Sequence, residues 1–567
     1  MPSSAETPAK PRTARPSAAV MLHRADGSAF EVLLAERNPK LRFFGGHWAF
    51  PGGTLDAMDV ELAERLAGEE AGGEGTTVQG DPLVASRRVE DLALACCALR
   101  ELFEETGVLL EPLRSVWPAD DPDAAARRAD LRAALSPREG ATAEGRAAWL
   151  ELCRSFADAG DLVDALAPIG RITTPGFRPL RYETLFLRAE LPEGEEPVIH
   201  PGELVASRYA RPADALAGWR RGEERVVPPV LFQLEFLADA LDADGDVDAA
   251  WSPIAAAMDA ILAGRLHSAY TSPGILAAPL RTPTLPPAAT TNAYLVGTDD
   301  VYVVDPGPYD DGEGSERARL FETLDRWTSA GRRVRGVVLT HRHADHIGSA
   351  SAVCARYDVP LFAHPATLED LAPLWGEHEL EASLSAGGGR RSLGPAPARQ
   401  VPVDEGHAFD LGTAPDGSPD WKLVVHHTPG HARGHIVLRD GRYGAVVVGD
   451  MLSTLSTIVI DPPEGHLATY LDSLRRLIEL GEDTNGGEWV LLPAHGPWTH
   501  RGQAACERYL AHRAEREASL VRALDAGLTD MKDLVAHVYA DTDERAWPVA
   551  ERSLEAGLEK LREEGRG

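Results

Sequence analysis

Cysteine is scarce: a chain of 567 residues has five, Cys96, Cys97, Cys153, Cys354 and Cys506. None falls at the paired spacing of a zinc knuckle or a disulfide framework, so five small buried side chains in a reducing compartment are expected. Long apolar runs are also missing, since no stretch approaches the roughly 20 residues that a membrane helix needs. Basic residues are outnumbered, 57 Lys and Arg against 88 Asp and Glu, for a formal net charge of −31. That excess repels phosphate polymers at long range and argues against a broad nucleic-acid surface. It leaves room for a small phosphorylated substrate, because a bound cation reverses the charge locally. The opening MPSSAETPAKPRTARPS lacks an apolar core, so residues 1–16 read as a disordered tail and not a secretion signal. A cytoplasmic location follows as the expectation.

With 44% hydrophobic and 26% charged residues the composition is that of a globular chain, too long for one ordinary core. AAVMLHRADGSAFEVLLAER (18–37) suggests two strands around a turn at Asp26-Gly27. A Gly/Pro loop, FFGGHWAFPGG, and an acidic segment lead to a helix over about 89–106, which Gly107 is placed to stop. Residues 112–165, rich in Ala, Arg, Asp and Glu, read as surface helices, and 181–191 as a strand. Helical patterns dominate from about 213 to 270, and PLRTPTLPPAATT (279–291) marks a boundary. Beyond it come short apolar strands, each ending in a polar loop that often bears histidine: VYVVDPG, VRGVVLTH, KLVVHHTPGH, AVVVGD and WVLLPAHG. Such a rim of loops on a scaffold suits a site. After Gly502 the chain is helical again, with HRAEREASLVRALDAG as its clearest amphipathic stretch.

HRHADH (341–346) puts three imidazoles and a carboxylate into six residues directly after a strand. His341 and His343 can face one metal while Asp345 and His346 turn to a second; imidazole with carboxylate suits zinc, then iron or manganese. His431 after a Pro-Gly turn, Asp450 at a strand end and His495 at another complete an ordered set. The set resembles the metallo-β-lactamase superfamily over about residues 276–500. That resemblance implies one metal on His341, His343 and His431, a second on Asp345, His346 and His495, and Asp450 bridging them. It implies a supporting place for Asp305. Water shared by two such cations loses a proton near neutral pH, so hydroxide attack on a carbonyl or phosphoryl centre is expected, with Asp345 also orienting the nucleophile. His426, His427 and His435 are read as loop histidines, with contact to substrate or support of a ligand open for His435.

ALRELFEETGVLL (98–110) places Glu101, Glu104 and Glu105 on one helical face, with Arg100 four residues before Glu104. Three clustered carboxylates repel one another unless a hard cation such as Mg²⁺ or Mn²⁺ offsets them. Upstream, Gly52 and Gly53 of WAFPGG permit a tight loop. Together these resemble a Nudix hydrolase over about residues 17–240, and Arg100, Glu101, Leu102, Glu104, Glu105 and Gly107 match the second half of its box. About thirty extra residues separate Gly53 from Arg100, so the earlier glutamate of the box has no clear counterpart, with Asp56 or Asp59 as substitutes. The inserted form is similar to a coenzyme A diphosphatase branch, which implies substrate contacts for Arg37 and Arg42 and a metal-binding or basic role for Glu203. GGHWAFPGG departs from that branch's lead-in.

The last 65 or so residues resemble the winged-helix-like tail of the β-lactamase-like protein 2 group, expected here to cover the metal unit and wall a cleft. The expected fold is therefore α/β and multi-domain. A Nudix α/β/α sandwich (17–245) and a helical connector (246–275) precede a metallo-β-lactamase αββα sandwich (276–500) and a helical winged-helix-like domain (501–567). The expected activity is metal-dependent hydrolysis at two sites: a Nudix unit with Mg²⁺ or Mn²⁺ acting on a nucleoside-diphosphate-linked, coenzyme A-type compound, and a unit with two Zn²⁺ (or iron or manganese) acting on an ester or thioester. The alternative is an endoribonuclease with a nucleotide-binding Nudix domain. Partners are expected to be small phosphorylated, ester or thioester substrates and no membrane, with a homo-oligomer open.

Overall fold

The computed structural model describes residues 14–26, 29–41, 44–70, 82–136, 141–174, 180–200, 202–262, 268–310, 312, 314–376, 393–482 and 489–566. The chain divides into two compact units, Met1–Arg265 and Leu266–Gly567. The first runs β1 (Arg15–Asp26), β2 (Ala29–Arg37), β3 (Trp48–Ala49), β4 (Gly52–Thr54), α1 (Ala57–Glu70), α2 (Pro82–Thr106), α3 (Leu113–Val116), α4 (Pro122–Leu135), α5 (Ala143–Leu152), α6 (Ala159–Ala165), β5 (Ala167–Thr173), β6 (Tyr182–Glu190), β7 (Leu204–Ala210), α7 (Pro212–Arg220), α8 (Pro228–Asp244) and α9 (Asp248–Leu262).

Its sheet has the order β3-β2-β1-β6-β5, with β4 on β1 and β7 on β2. Strand β1 is the hinge of the arrangement, antiparallel to β2 and parallel to β6. Ala18, Val20 and Leu22 alternate onto the face covered by α1 and α2, as the period of two requires. Pairing with β6 begins at Arg15, so the expected tail over 1–16 gives way to a strand at its last two residues. The expected turn at Asp26-Gly27 reaches residues outside the described ones. Helix α2 starts earlier than expected, at Pro82, and ends at Thr106, where Gly107 takes a left-handed φ of 76°.

The helices of 112–165 are not a surface layer. Leu131, Leu135, Trp149, Leu152 and Leu162 join the core beneath α1 and α2, and the Trp149 ring stacks on Phe103 of α2 at 5.5 Å. The charge-rich composition hid this because some of the charge is itself inside: Arg128 makes two bonds of 2.8 and 2.9 Å to the buried Glu195 carboxylate. The span 246–275 is likewise no separate connector. Helix α9 packs on β5 within the first unit, and β8 (Ala269–Ser272) already belongs to the second.

The second unit continues with β9 (Ile275–Arg281), β10 (Thr290–Val296), β11 (Asp300–Val304), α10 (Glu316–Ser329), β12 (Arg333–Val338), α11 (Ala344–Ile347), α12 (Ala350–Tyr357), β13 (Leu361–Ala363), α13 (Pro365–Leu371) and β14 (Gln400–Pro402). Then follow β15 (Ala408–Gly412), β16 (Trp421–His427), β17 (Ile436–Asp440), β18 (Ala445–Gly449), α14 (Leu467–Glu482), β19 (Val490–Pro493), α15 (Gly502–Asp525), α16 (Met531–Val538) and α17 (Trp547–Glu563). One sheet has the order β14-β13-β12-β11-β10-β9-β8, the other β15-β16-β17-β18-β19.

Strands β9, β10, β11, β18 and β19 are buried almost throughout, whereas β15 and β16 alternate, with Asp410 and Lys422 exposed. Tyr302 and Val304 meet Phe409, Leu423 and Val447 between the sheets. Val301 and Val303 turn outward onto Leu320, Leu324 and Val353 of α10 and α12. Val446 and Val448 turn outward onto Tyr470 and Leu474 of α14. The result is an αββα sandwich, and α15–α17 close a further helical cluster around Leu520, Leu534 and Leu554. All five cysteines are free and buried. No helix among the described residues is long and apolar enough to cross a membrane.

Replacing Trp149 by alanine removes the largest fully buried ring of the first unit and is expected to destabilise it by about 3–5 kcal/mol. Urea unfolding followed by circular dichroism checks this; an unchanged midpoint for that unit contradicts the packing.

Candidate metal centre and a glutamate face

The ligand candidates of the second unit leave the sheets at four places. Strand β12 passes through buried Val337 to Leu339 and breaks into Thr340-His341-Arg342-His343, after which α11 carries Asp345 and His346. His431 lies in the loop after β16, Asp450 directly follows β18, and His495 lies two residues past β19. Two groups of ligand atoms result: His341, His343, His431 and Asp450, then Asp345, His346 and His495, each within 4.8 Å.

In the first group His343 Nδ1 stands 2.9 Å from both His341 Nε2 and His431 Nε2. Asp450 Oδ2 is 3.5 Å from His431 Nε2 and 4.0 Å from His341 Nε2. In the second, Asp345 Oδ2 lies 3.2 Å from His495 Nε2 and 3.8 Å from His346 Nε2. The other oxygen of Asp450, Oδ1, is 3.3 Å from His495 Nε2 and 3.5 Å from His346 Nε2. Asp450 therefore turns one oxygen to each group.

The outward nitrogens settle which way the lone pairs point. His431 Nδ1 donates to Val459 O at 2.9 Å and His495 Nδ1 to Thr290 O at 3.0 Å. His346 Nδ1 donates to Asp305 Oδ2 at 2.9 Å, and His343 Nε2 faces Glu464 Oε2 at 3.4 Å. Thr340 Oγ1 gives its own proton to Asp305 Oδ2 at 2.7 Å, so it accepts from His341 Nδ1 at 3.0 Å. In the neutral rings all five outer nitrogens carry the proton, and all five inner ones point their lone pairs at each other and at carboxylates. Among the described residues, buried His346 Nε2 and Asp450 Oδ1 find no hydrogen-bond partner. An acceptor-only set of this kind is repulsive until a cation enters it, so the residues fit divalent metals.

Electrostatics says the same. Burial lowers His346, yet Asp345, Asp305 and Asp450 push it up to about 9. Burial raises Asp345, yet His346 and His495 hold it down at about 2. Positive charge is favoured at the second group. In the first, burial and neighbouring imidazoles push His341 down, and His431 to about 4.

Asp305 adopts a left-handed φ of 50°, which aims both its oxygens at Thr340 and His346. His435 stays outside the ligand groups: its Nε2 accepts the Asp450 backbone N–H at 3.1 Å, and its Nδ1 meets Thr428 Oγ1 at 2.9 Å. Thr340, Thr290, Val459 and Glu464 were not among the expected residues. Contacts made through a backbone carbonyl, or from a residue about 120 positions away, leave no local signal.

A third group, His364, Asp404 and His427, also brings ligand atoms within 4.8 Å. It does not suit a metal. His364 Nδ1 accepts the Ala366 N–H at 3.2 Å, which leaves its proton on Nε2, the atom facing Asp404. The His364 and His427 rings are stacked at 10°, so their in-plane lone pairs run side by side and do not converge.

In the first unit Arg100 organises the glutamate face. It makes a fork of 2.9 and 2.8 Å bonds to Asp59 and gives Nη1 to Glu101 at 3.0 Å and Glu104 at 2.9 Å. Glu105 accepts the Gly52 N–H at 2.8 Å. A Cβ on Gly53 would stand 2.2 Å from Glu101 Oε1, so any larger residue there would push the Glu101 carboxylate aside. Arg37 and Glu203 lie close enough to Glu105 to pull its carboxyl down and up respectively. Arg42 lies outside the described residues. Asp56 and Asp59 do not substitute for a box glutamate. Asp56 accepts from Met58 N at 3.0 Å and Asp59 reaches back to Asp56 N at 2.8 Å, a cap on α1.

The three glutamates do not form one of the close ligand groups found among the described residues. Burial nevertheless pushes Glu101 up to about 7 and raises Glu104 and Glu105. With a folded value above its ordinary 4.5, Glu101 keeps a proton in the folded chain that the unfolded chain has lost. Stability contributed by this group therefore falls as pH rises from about 4.5 to 7. A cation on the face offsets the ionised form, so Mg²⁺ is expected to raise the unfolding temperature more at pH 8 than at pH 5. Equal shifts at the two pH values in a thermal melt contradict that.

Residues 287–495 match the metallo-beta-lactamase superfamily, and residues 531–566 match the beta-lactamase associated winged helix domain. An uncharacterized protein of Mycobacterium tuberculosis is 33% identical over 223 residues, 37% of this chain and 88% of its own. A beta-lactamase-like protein 2 homolog of Drosophila melanogaster is 26% identical over 286 residues, 49% of this chain and 83% of its own. Among solved structures, a Nudix hydrolase from Alicyclobacillus acidocaldarius covers 42% of this chain and 96% of its own at 26% identity and a TM-score of 0.27.

Proposed function

Because the chain belongs, through its second unit, to the metallo-β-lactamase superfamily, we propose that this unit is a two-metal hydrolase of an ester or thioester. The first unit is a Mg²⁺- or Mn²⁺-dependent Nudix-type diphosphatase acting on a nucleoside-diphosphate-linked compound of the coenzyme A type. In the second unit His341, His343 and His431 hold one cation, Asp345, His346 and His495 the other, and Asp450 reaches both. Zinc suits this donor set best, iron or manganese next. The carrying observation is Asp450, with one oxygen at each of two groups of inward imidazole lone pairs.

Bound cations supply Lewis acidity and a water that is deprotonated near neutral pH. The remaining work is done by the chain. Asp305 fixes the tautomer of His346 and, through Thr340, that of His341. His435 holds the Asp450 backbone in place. Asp345 stays ionised and keeps Oδ2 3.5 Å from Thr291 Oγ1, an anchored carboxylate able to orient a nucleophilic water and accept its proton. In the first unit, support comes from Arg100, which fixes Glu101 and Glu104, and from the proximity of Arg37 and Glu203 to Glu105. A net charge of −31 favours small substrates over a nucleic acid.

Incubation of the full chain with an acyl-coenzyme A plus Zn²⁺ or Mn²⁺ tests both units. Free thiol and 3′,5′-ADP are both expected. Asp450→Ala should lower thiol release by at least about 100-fold and leave ADP release unchanged, and Glu104→Gln should do the reverse. Absence of both products overturns the assignment. Cleavage of single-stranded RNA that His343→Ala abolishes, without thiol release, replaces the thioester substrate by RNA.

A further inference from the structure

We infer that the C-terminal helices position one half of the metal centre, the half containing His343 and His431, through hydrogen bonds of the loop 458–466 that the other half lacks. This rests on the two-metal assignment above.

The loop touches ligand residues on one side. Val459 O accepts from His431 Nδ1 at 2.9 Å, and the His466 N–H donates to Gly430 O, next to His431, at 2.7 Å. Glu464 stands 3.4 Å from His343 Nε2 and is itself held by Arg342 Nε at 2.8 Å. On its other side the loop is held by α15 and α17. The Tyr509 hydroxyl accepts the Ile458 N–H, and Arg513 donates to Ile458 O. Arg552 pairs with Asp461, and Glu563 accepts from His466 Nε2 at 3.0 Å. The loop thus bonds the tail helices at Ile458, Asp461 and His466, and the ligand side at Val459, Glu464 and His466.

No hydrogen bond from this loop reaches the second group of ligands among the described residues; α15 touches that side only through apolar packing of Ala505 and Cys506 with Val448, Met451 and Leu491. Asp305, Thr290 and Thr291, which support His346, His495 and Asp345, sit on or just beyond β10 and β11 inside the sandwich. The contacts from α17 are at the surface, where an ion pair contributes little. Arg513 differs: it is buried, with its guanidinium 5.5 Å from the Tyr470 ring and 5.7 Å from the Tyr509 ring. Losing its bond leaves Ile458 O unpaired in the interior and frees the loop to shift. Arg513 and Glu464 are accordingly positioning residues, acting through Val459 and His343.

The test is Zn²⁺ titration of the full chain against a chromophoric chelator, which resolves the two binding events. Wild type is expected to take up two equivalents. Arg513→Met and Glu464→Gln should each weaken one event about 10- to 100-fold and leave the other unchanged, and Arg513→Lys, which keeps a donor, should restore most of the loss. The pair combined should weaken that event by less than the product of the two effects. Both events weakening together, or neither changing, overturns the inference while the two-metal assignment stands. Wild type that takes up fewer than two equivalents overturns the assignment and the inference with it. Should Arg513→Met not fold, Tyr509→Phe, which removes the acceptor of the Ile458 N–H, is used: a several-fold weakening of one event supports the inference, and unchanged binding overturns it.

Discussion

Asp450 is buried between two clusters of imidazoles and shows one oxygen to each. Without a cation, that carboxylate and its neighbour Asp345 are offset only by protons held on His346 and His495, which the two carboxylates push up. Removing such charge from water is expensive unless opposite charge accompanies it. The surrounding structure answers this single constraint. Outward hydrogen bonds to Val459, Thr290, Asp305 and Thr340 lock each ring with its lone pair inward, which is the arrangement a pair of divalent cations requires and one that few other ligands satisfy.

The fold makes this arrangement rigid without strain in the strands themselves. Strands buried on both faces, such as β10, β11, β18 and β19, cannot slip, because each residue is committed to the inner core or to the helices outside. His341, Asp450 and His495 follow strands β12, β18 and β19 within a few residues, so the ligands inherit the fixed spacing of the two sheets. The two ligand groups differ in what supports them. One is hydrogen-bonded to residues of the sandwich. The other depends on a loop that the C-terminal helices hold, which gives those helices a role beyond covering the core.

How much of this the sequence declares depends on how local the chemistry is. HRHADH is legible because three imidazoles and a carboxylate in six residues have little structural purpose otherwise. Asp305, Asp450 and His495 are legible because each follows an apolar strand. The αββα layering is implied by the family resemblance that those residues carry. Glu464, Val459 and Arg513 carry no such mark: they act across long stretches of chain, two of the contacts through backbone carbonyls that any residue type could supply. In the first unit, legibility is lower still. Trp149 and Leu131 lie in segments whose abundant charge reads as surface, yet they pack beneath α2. Asp56 and Asp59 have the residue type of metal ligands and are occupied in capping α1 and gripping Arg100.

The two units meet the same problem, crowded carboxylates, in different ways. The second surrounds Asp345 and Asp450 with imidazoles. The first sets Arg100 between Glu101 and Glu104, and the carboxyls that burial raises there keep their protons more readily. The central claim concerns the second unit, that two cations sit on either side of Asp450. X-ray absorption at the metal edge of the Zn²⁺-loaded chain tests it most directly. The account expects nitrogen and oxygen ligands and a metal–metal vector of about 3.5–4 Å. A spectrum of isolated metal ions at full loading, with no metal–metal vector, would contradict it.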